Sequence, residues 1–190
     1  MAFDTFVPSP SSAMKEFVQE HSGQHVANCI QCGKCTAGCP SSYAMDLGPR
    51  RAIRAVQLGL EQEALGSTSI WLCLSCYTCS ARCPAQIDIA KVMETLRHLA
   101  VLKGIKPAEK DIALFHKLFL SNLQKHGRLY ELRLGSEFSV LAGHPFANLG
   151  LLPDMLSKDK LPLMPRKVKL TPEVKAIFER VKAIEAESGR

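Results

Sequence analysis

The chain has 190 residues, of which 46% are hydrophobic and 22% are charged, and its formal net charge is +6. This length fits one domain, or one domain with an extension, and the apolar content is sufficient for a buried core. No run of eighteen uninterrupted apolar residues occurs, so we expect no transmembrane helix.

All eight cysteines lie in two copies of one pattern, C-x2-C-x2-C-x3-C-P. The first copy runs from Cys29 to Pro40 and the second from Cys73 to Pro84. This run ligates 4Fe–4S clusters in bacterial two-cluster ferredoxins, because each iron corner of a cluster needs one soft thiolate. The pattern therefore predicts two 4Fe–4S clusters that use every cysteine as a ligand.

The spacing also predicts which cysteines share a cluster. Three cysteines at intervals of three residues form a local loop around three iron corners. The fourth cysteine precedes a proline, which fixes φ and redirects the chain, so we expect it to serve the other cluster. The expected ligand sets are Cys29, Cys32, Cys35 and Cys83 for the first cluster, and Cys73, Cys76, Cys79 and Cys39 for the second.

Three other uses of cysteine fit the pattern less well. Disulfides belong to exported proteins, and the first residues of this chain show no secretory signal. Structural zinc needs two C-x2-C pairs and leaves the third cysteine and the Cys-Pro step unexplained. The plant-type 2Fe–2S spacing differs as well. Thiolate ligands without an export signal indicate the reducing cytoplasm.

The basic charge has an explanation in the predicted clusters. Each oxidised 4Fe–4S core with four thiolates carries roughly −2, so two clusters reduce the net charge to about +2. Nucleic-acid binding is therefore not expected. Lys34 and Arg82 lie inside the loops, where they either raise the reduction potentials or face solvent. The chain also has two basic groups, and each is either a solvated face or a docking surface for a partner protein. One is Arg50, Arg51 and Arg54, and the other is Arg166, Lys167 and Lys169.

Apolar residues at helical spacing predict an all-α fold around the cluster loops, because no strand-like alternation occurs. Asp88 is the expected N-cap of the helix that follows the second motif. Between Leu129 and Pro165, glycines and prolines predict only short pieces. The expected helices run from Ser11 or Ser12 to about His21, from Gly48 to about Ala64, from Asp88 to about Lys103, from Ala108 to about Lys125, and from Thr171 to near Gly189.

The predicted organisation is a segment with a short helix at 1–24, a two-cluster domain at 25–105, and a helical and irregular extension at 106–190. The extension carries no chemical motif, and it suits either docking on another subunit or an ordinary surface layer. No catalytic triad, phosphate loop or nucleotide fingerprint occurs, so no catalytic residue is predicted. The six histidines are not needed as ligands.

The chain resembles a known family over about residues 12–105. Small two-cluster ferredoxins have a short link between their motifs and a β-containing fold, whereas a predicted helix separates the motifs here. The chain is instead similar to the α-helical ferredoxin type of reductase subunits, and most of all to the C-type subunit of heterodisulfide reductase. The residues that carry this resemblance are Cys29–Cys35, Gly48–Arg51, Ile70–Cys79 and Ile89–Leu99.

The resemblance implies an electron-relay subunit of an oxidoreductase, with methanogenesis as its setting. In that family, the C-type chain carries electrons between a flavin-containing A-type chain and a B-type chain whose CCG motifs build the disulfide-reducing site. This chain has no CCG motif and no cysteine left for thiol–disulfide exchange. We therefore expect a non-catalytic member of a hetero-oligomer. The alternatives are a relay subunit of an anaerobic glycerol-3-phosphate or lactate dehydrogenase, and a free ferredoxin-like carrier.

Overall fold

The computed structural model describes residues 12–145, 150, 152–158, 164–165, 168 and 171–187. The described part of the chain contains helices, turns and bends but no strand, which confirms the all-α fold. The chain divides into two compact units between residues 110 and 111. The predicted domain boundaries at residues 24 and 105 stay predictions. No helix within the described ranges has the length and apolar composition that crossing a membrane requires.

The first unit is built around one central helix, α7, which packs against α1 and α3 to α6. Its Val92, Met93 and Leu96 are fully buried. Single 3-10 turns lie at Val26–Asn28 and Ser42–Ala44. In chain order the helices are α1 Ser12–Ser22, α2 Lys34–Ala37, α3 Gly48–Leu58, α4 Glu61–Leu65, α5 Ser69–Leu72, α6 Thr78–Ala81 and α7 Ile89–Leu102.

The helix predicted from Gly48 to about Ala64 is two helices. After α3 the backbone of Gly59 adopts φ 70°, and its N–H donates to the carbonyls of Ala55 and Val56. This left-handed residue ends the helix, because glycine has no Cβ to clash in that conformation. The apolar pattern concealed the break, since Ala64 on α4 is also buried in the core.

The helix after the second motif begins and ends within a residue or so of its prediction. The Asp88 carboxylate accepts a hydrogen bond from the Lys91 N–H at 3.3 Å, so the predicted N-cap is present. This bond satisfies one of the backbone donors that a helix start leaves without a partner.

The second unit contains a helix that the sequence pattern does not predict, because Gly135 lies inside it. Buried Asn122 joins two helices there: its Oδ1 accepts from the Tyr130 N–H at 2.8 Å and its Nδ2 donates to the Tyr130 carbonyl at 3.1 Å. These bonds outweigh the modest helix cost of one glycine. The basic group Arg166, Lys167 and Lys169 lies outside the described residues. The described helices of this unit are α8 Lys110–His126, α9 Glu131–Leu141, α10 Leu152–Ser157 and α11 Thr171–Glu187.

Candidate metal centre

The two cysteine motifs fold into the same backbone conformation. Gln31 and Ser75 hold equivalent positions and have φ values of 58° and 49°. Gly33 and Tyr77 are the next equivalent pair, with φ values of 82° and 61°, and a one-turn helix follows each of them. Left-handed residues at these positions close each loop tightly, even where the residue is not glycine. The doubled pattern is therefore a structural repeat.

The first loop lines a small cavity that is open to solvent. Its lining includes the exposed basic residues Lys34 and Arg50, and no carboxylate lines it. A cavity with thiols and cations suits an anionic cluster. The grouping fits the expected ligand set of the first cluster, which stays a prediction. The cysteines on the lining are Cys29, Cys32, Cys35 and Cys83.

The second loop repeats the burial of the first. Cys35 and Cys79 are buried, Cys32 and Cys76 are exposed, the other four cysteines are half-buried, and none of the eight forms a disulfide. Among the described residues, no three His, Cys, Asp or Glu side chains are grouped to hold a single metal ion. A 4Fe–4S cluster places each thiolate on a different iron. The expected contribution of Cys39 to the second site stays a prediction.

Two buried hydrogen-bond donors have no partner within the described part of the chain, the Trp71 Nε1–H and the Ser41 hydroxyl. Both lie close in sequence to cysteines of the second ligand set. Trp71 lies two residues before Cys73, and Ser41 lies two residues after Cys39. Buried donors without an acceptor are rare in native proteins. Sulfides and thiolates accept hydrogen bonds, so the residues present fit a sulfur-rich cofactor.

The thiols differ in acidity because their surroundings differ. Burial raises the pKa of the Cys35 and Cys79 thiols above the ordinary value. A hydrogen bond with the Thr78 hydroxyl, 3.5 Å away, lowers the pKa of exposed Cys76. Metal binding requires thiolates, so occupation of the two sites must release protons from the buried thiols.

Hydrogen bonds also reach the sulfur atoms. The Gln31 Nε2 donates to Cys29 Sγ, and the Ile87 N–H donates to Cys83 Sγ, each at 3.4 Å. Donors at thiolate sulfurs stabilise added negative charge and so tune cluster potentials.

A hydroxyl in each motif anchors the helix that follows that motif. Thr36 Oγ1 accepts from the Arg50 N–H at 3.0 Å, and Ser80 Oγ accepts from the Ala90 N–H at 3.2 Å. Both hydroxyl residues directly follow the third cysteine of their motif. The cysteine pattern does not predict these two residues, although their equal offset from the cysteines is a visible signal.

One motif and the long helix that follows it, α3 or α7, form one half of the repeat. The segment before each motif is hydrogen-bonded to the segment just before the long helix of the other half. Gln24 Oε1 accepts from the Asp88 N–H at 2.8 Å, and Thr68 Oγ1 accepts from the Asp46 N–H at 3.2 Å. Gln24 and Thr68 each lie five residues before the first cysteine of their motif. The two halves thus exchange contacts, which is the arrangement that crossed ligation by the fourth cysteines needs.

The Asp46 carboxylate, in the first half, accepts several hydrogen bonds from the segment before the second motif. It accepts from the backbone N–H of Thr68 at 2.9 Å and of Ser69 at 3.2 Å, and from the Ser69 hydroxyl at 2.7 Å. The Leu47 N–H donates to it at 2.7 Å. Partial burial raises the pKa of Asp46, but these hydrogen bonds outweigh the burial and lower the pKa below its ordinary value.

Asp46→Asn is expected to reduce the free energy of unfolding by about 1–2 kcal/mol, a value discounted for solvent exposure. The folded pKa is lowered, so the stabilisation is complete above the unfolded pKa of about 4 and is lost as pH falls through the folded pKa. Anaerobic urea unfolding should show the same difference from the wild type at pH 7 and pH 5. Exposed Glu94→Gln is the control, and a difference that vanishes at pH 5 contradicts the prediction.

Comparison with known proteins agrees with this geometry. Residues 25–87 match the family of 4Fe-4S dicluster domains. Over 122 residues the chain is 36% identical to a CoB–CoM heterodisulfide reductase iron–sulfur subunit of Methanocaldococcus jannaschii, the second of its C type, and the match covers 64% of this chain and 62% of that protein. Over 97 residues it is 40% identical to the C-type subunit of the ferredoxin:CoB–CoM heterodisulfide reductase of Methanosarcina mazei, with coverage of 50% and 60%.

A third relative is the C-type iron–sulfur subunit of the CoB–CoM heterodisulfide reductase of Methanopyrus kandleri, 35% identical over 111 residues and covered over 58% of both chains. The chain spans about three fifths of the length of these curated relatives. Residues 25–87 are a 4Fe–4S dicluster domain that binds two 4Fe–4S clusters, and the chain is a relative of the C-type iron–sulfur subunits of heterodisulfide reductases.

Proposed function

We propose that this chain relays electrons in a cytoplasmic heterodisulfide reductase-type complex, between a flavin-containing A-type partner and a disulfide-reducing B-type partner. The observation that carries the proposal is the exposed cysteine in each loop, Cys32 and Cys76, because it provides two separate points of access. When bound, each 4Fe–4S cluster accepts and returns one electron. The protein holds the two sites in fixed positions and buries Cys35 and Cys79 away from water.

The surroundings of the two exposed cysteines support contact with two different partners. Ile30 and Leu74, each next to the first cysteine of its motif, are 70% and 69% exposed. Exposed apolar side chains beside a functional group favour a protein interface. Exposed Lys34 and Arg50 line the first site, whereas exposed Tyr77 belongs to the second loop. The cations at the first site suit an acidic partner surface, and Tyr77 adds an aromatic contact at the second.

The proposed role is relay and not disulfide chemistry. We propose that the first cluster takes the first three cysteines of the first motif with Cys83, and that the second takes the first three of the second motif with Cys39. All eight cysteines then serve as ligands, and no thiol remains to attack a disulfide. The relatives named as iron–sulfur subunits of the C type support this role.

An anaerobic purification through a tag on this chain tests the proposal. We expect a flavoprotein and a CCG-containing protein to co-purify, and we expect disulfide reduction only in fractions that contain the latter. A glycerol-3-phosphate or lactate dehydrogenase as partner would assign the chain to another oxidoreductase. Recovery of the chain alone, with its clusters intact, would indicate a free carrier.

A further inference from the structure

Each motif is held by a side chain from the long helix that follows it. In the first half this side chain is Gln57 on α3. Its Nε2 donates to the Val26 carbonyl at 2.9 Å and to the Cys29 carbonyl at 3.1 Å. Its Oε1 accepts from Arg54 Nη1 at 3.1 Å, which fixes the orientation of the amide. A neutral group therefore clamps the start of the first loop.

In the second half the clamp is Arg97 on α7. Its Nε donates to the Ile70 carbonyl at 2.8 Å, and its Nη2 donates to the Cys73 carbonyl at 2.9 Å. Ile70 lies three residues before Cys73, as Val26 does before Cys29 in the first motif. The two clamps bind equivalent carbonyls, but one is neutral and the other carries a permanent charge.

We propose that Arg97 is a positioning residue that also makes the two cluster sites electrostatically unequal, raising the reduction potential of the second-loop cluster. Reduction adds negative charge to a cluster, so a nearby cation stabilises the reduced form more than the oxidised form. The inference deepens the proposed relay function, on which its physiological meaning rests. An ordered difference between two potentials gives an electron relay a preferred direction.

The other charges near the loops do not cancel this effect. Within the described residues no carboxylate forms an ion pair with Arg97. Arg97 is half-buried, whereas the cations near the first loop, Lys34, Arg50 and the Gln57 partner Arg54, are all exposed and screened by solvent. Arg82 packs against Gly38, the equivalent position of the other motif, so its charge lies between the halves and acts on both.

The test is an anaerobic redox titration of the full chain with both clusters, followed by electron paramagnetic resonance. In Arg97→Gln an amide replaces the guanidinium, and Gln57 shows that an amide can hold the equivalent pair of carbonyls in the other motif. We expect the second-loop step to move to lower potential by at least a tenfold change in the reduced-to-oxidised ratio, about 59 mV for one electron. The first-loop step should stay in place. Cys32→Ser and Cys76→Ser mark which step belongs to which loop.

Two further variants separate charge from position. Arg97→Lys keeps the charge but not the two-pronged hydrogen bonding, so it should retain most of the potential. Gln57→Arg should raise the first-loop step instead. An unchanged second-loop step in Arg97→Gln, or an equal shift of both steps, would overturn the inference. If Arg97→Gln loses the second cluster, an unmoved first-loop step in Gln57→Arg overturns it. These titrations use the chain alone, so failure to find partners would reject the proposed function without touching this result.

Discussion

Cys39→Ser is expected to lose or weaken the cluster of the second loop while the cluster of the first loop stays. Serine provides a hard oxygen in place of a soft thiolate, and iron–sulfur clusters need four such ligands. The variant should therefore retain about half of the wild-type iron. Cys83→Ser, at the equivalent position of the other motif, should lose the first-loop cluster instead.

The structural reason for this expectation is the exchange of contacts between the halves. Cys83 lines the cavity of the first loop, although it belongs to the second motif. Gln24 and Thr68 likewise bond to the segments at Asp88 and Asp46, each in the opposite half. By the symmetry of the repeat, Cys39 should serve the second loop.

The measurement is iron content and low-temperature electron paramagnetic resonance on anaerobically prepared variants. Cys39→Ser should lack the signal that Cys76→Ser alters, which belongs to the second loop. It should keep the signal that Cys32→Ser alters, which belongs to the first loop. Selective loss of the first-loop signal in Cys39→Ser would show that each motif closes on its own cluster and would contradict the crossed assignment.

Removal of both clusters by chelation is expected to loosen residues 25–87 and to leave α8 and α9 protected. Structural metal sites contribute much of the folding free energy of small metal-binding domains, on the order of 10 kcal/mol for zinc fingers. The loops here contain three non-glycine residues in the left-handed region, Gln31, Ser75 and Tyr77, and such residues cost about 1–3 kcal/mol each. Bound metal is what we expect to offset that strain.

Amide hydrogen exchange of the loaded and chelated chain provides the measurement. Amides of the two motifs should exchange much faster after chelation. The internal control is the α8–α9 pair, held by the Asn122–Tyr130 hydrogen bonds and by an edge contact between Phe115 and Phe138, with ring centroids 5.5 Å apart. Unchanged protection of the motifs without iron would mean that the protein scaffold alone holds the loops.

Local sequence patterns predicted correctly the features that depend only on residues close together in the chain. The cofactor followed from cysteine spacing, and the helix after the second motif followed from its apolar stripe and the cap at Asp88. The long prediction for α3 was wrong at Gly59, because the apolar pattern continues across the turn. Helix α9 was not predicted, because helix propensity disfavours Gly135 and takes no account of the hydrogen bonds that buried Asn122 makes to Tyr130.

The clamps at the cluster loops could not be predicted from the sequence, for a different reason. Gln57 and Arg97 contact carbonyls 24 to 31 residues away in the chain, and nothing local marks them among other polar helix residues. Gln24 and Asp88 are 64 residues apart. Only the folded repeat shows that the two clamps hold equivalent positions.

The sequence by itself determined the identity and number of the cofactors, because metal preference depends on ligand type and on spacing within a short loop. The tertiary structure decided which charge lies beside which loop and how the two halves exchange contacts. Those features arise from packing between distant segments, where a guanidinium and an amide can occupy equivalent places. The difference between Arg97 and Gln57 is therefore visible only once each helix has packed against its own cluster loop.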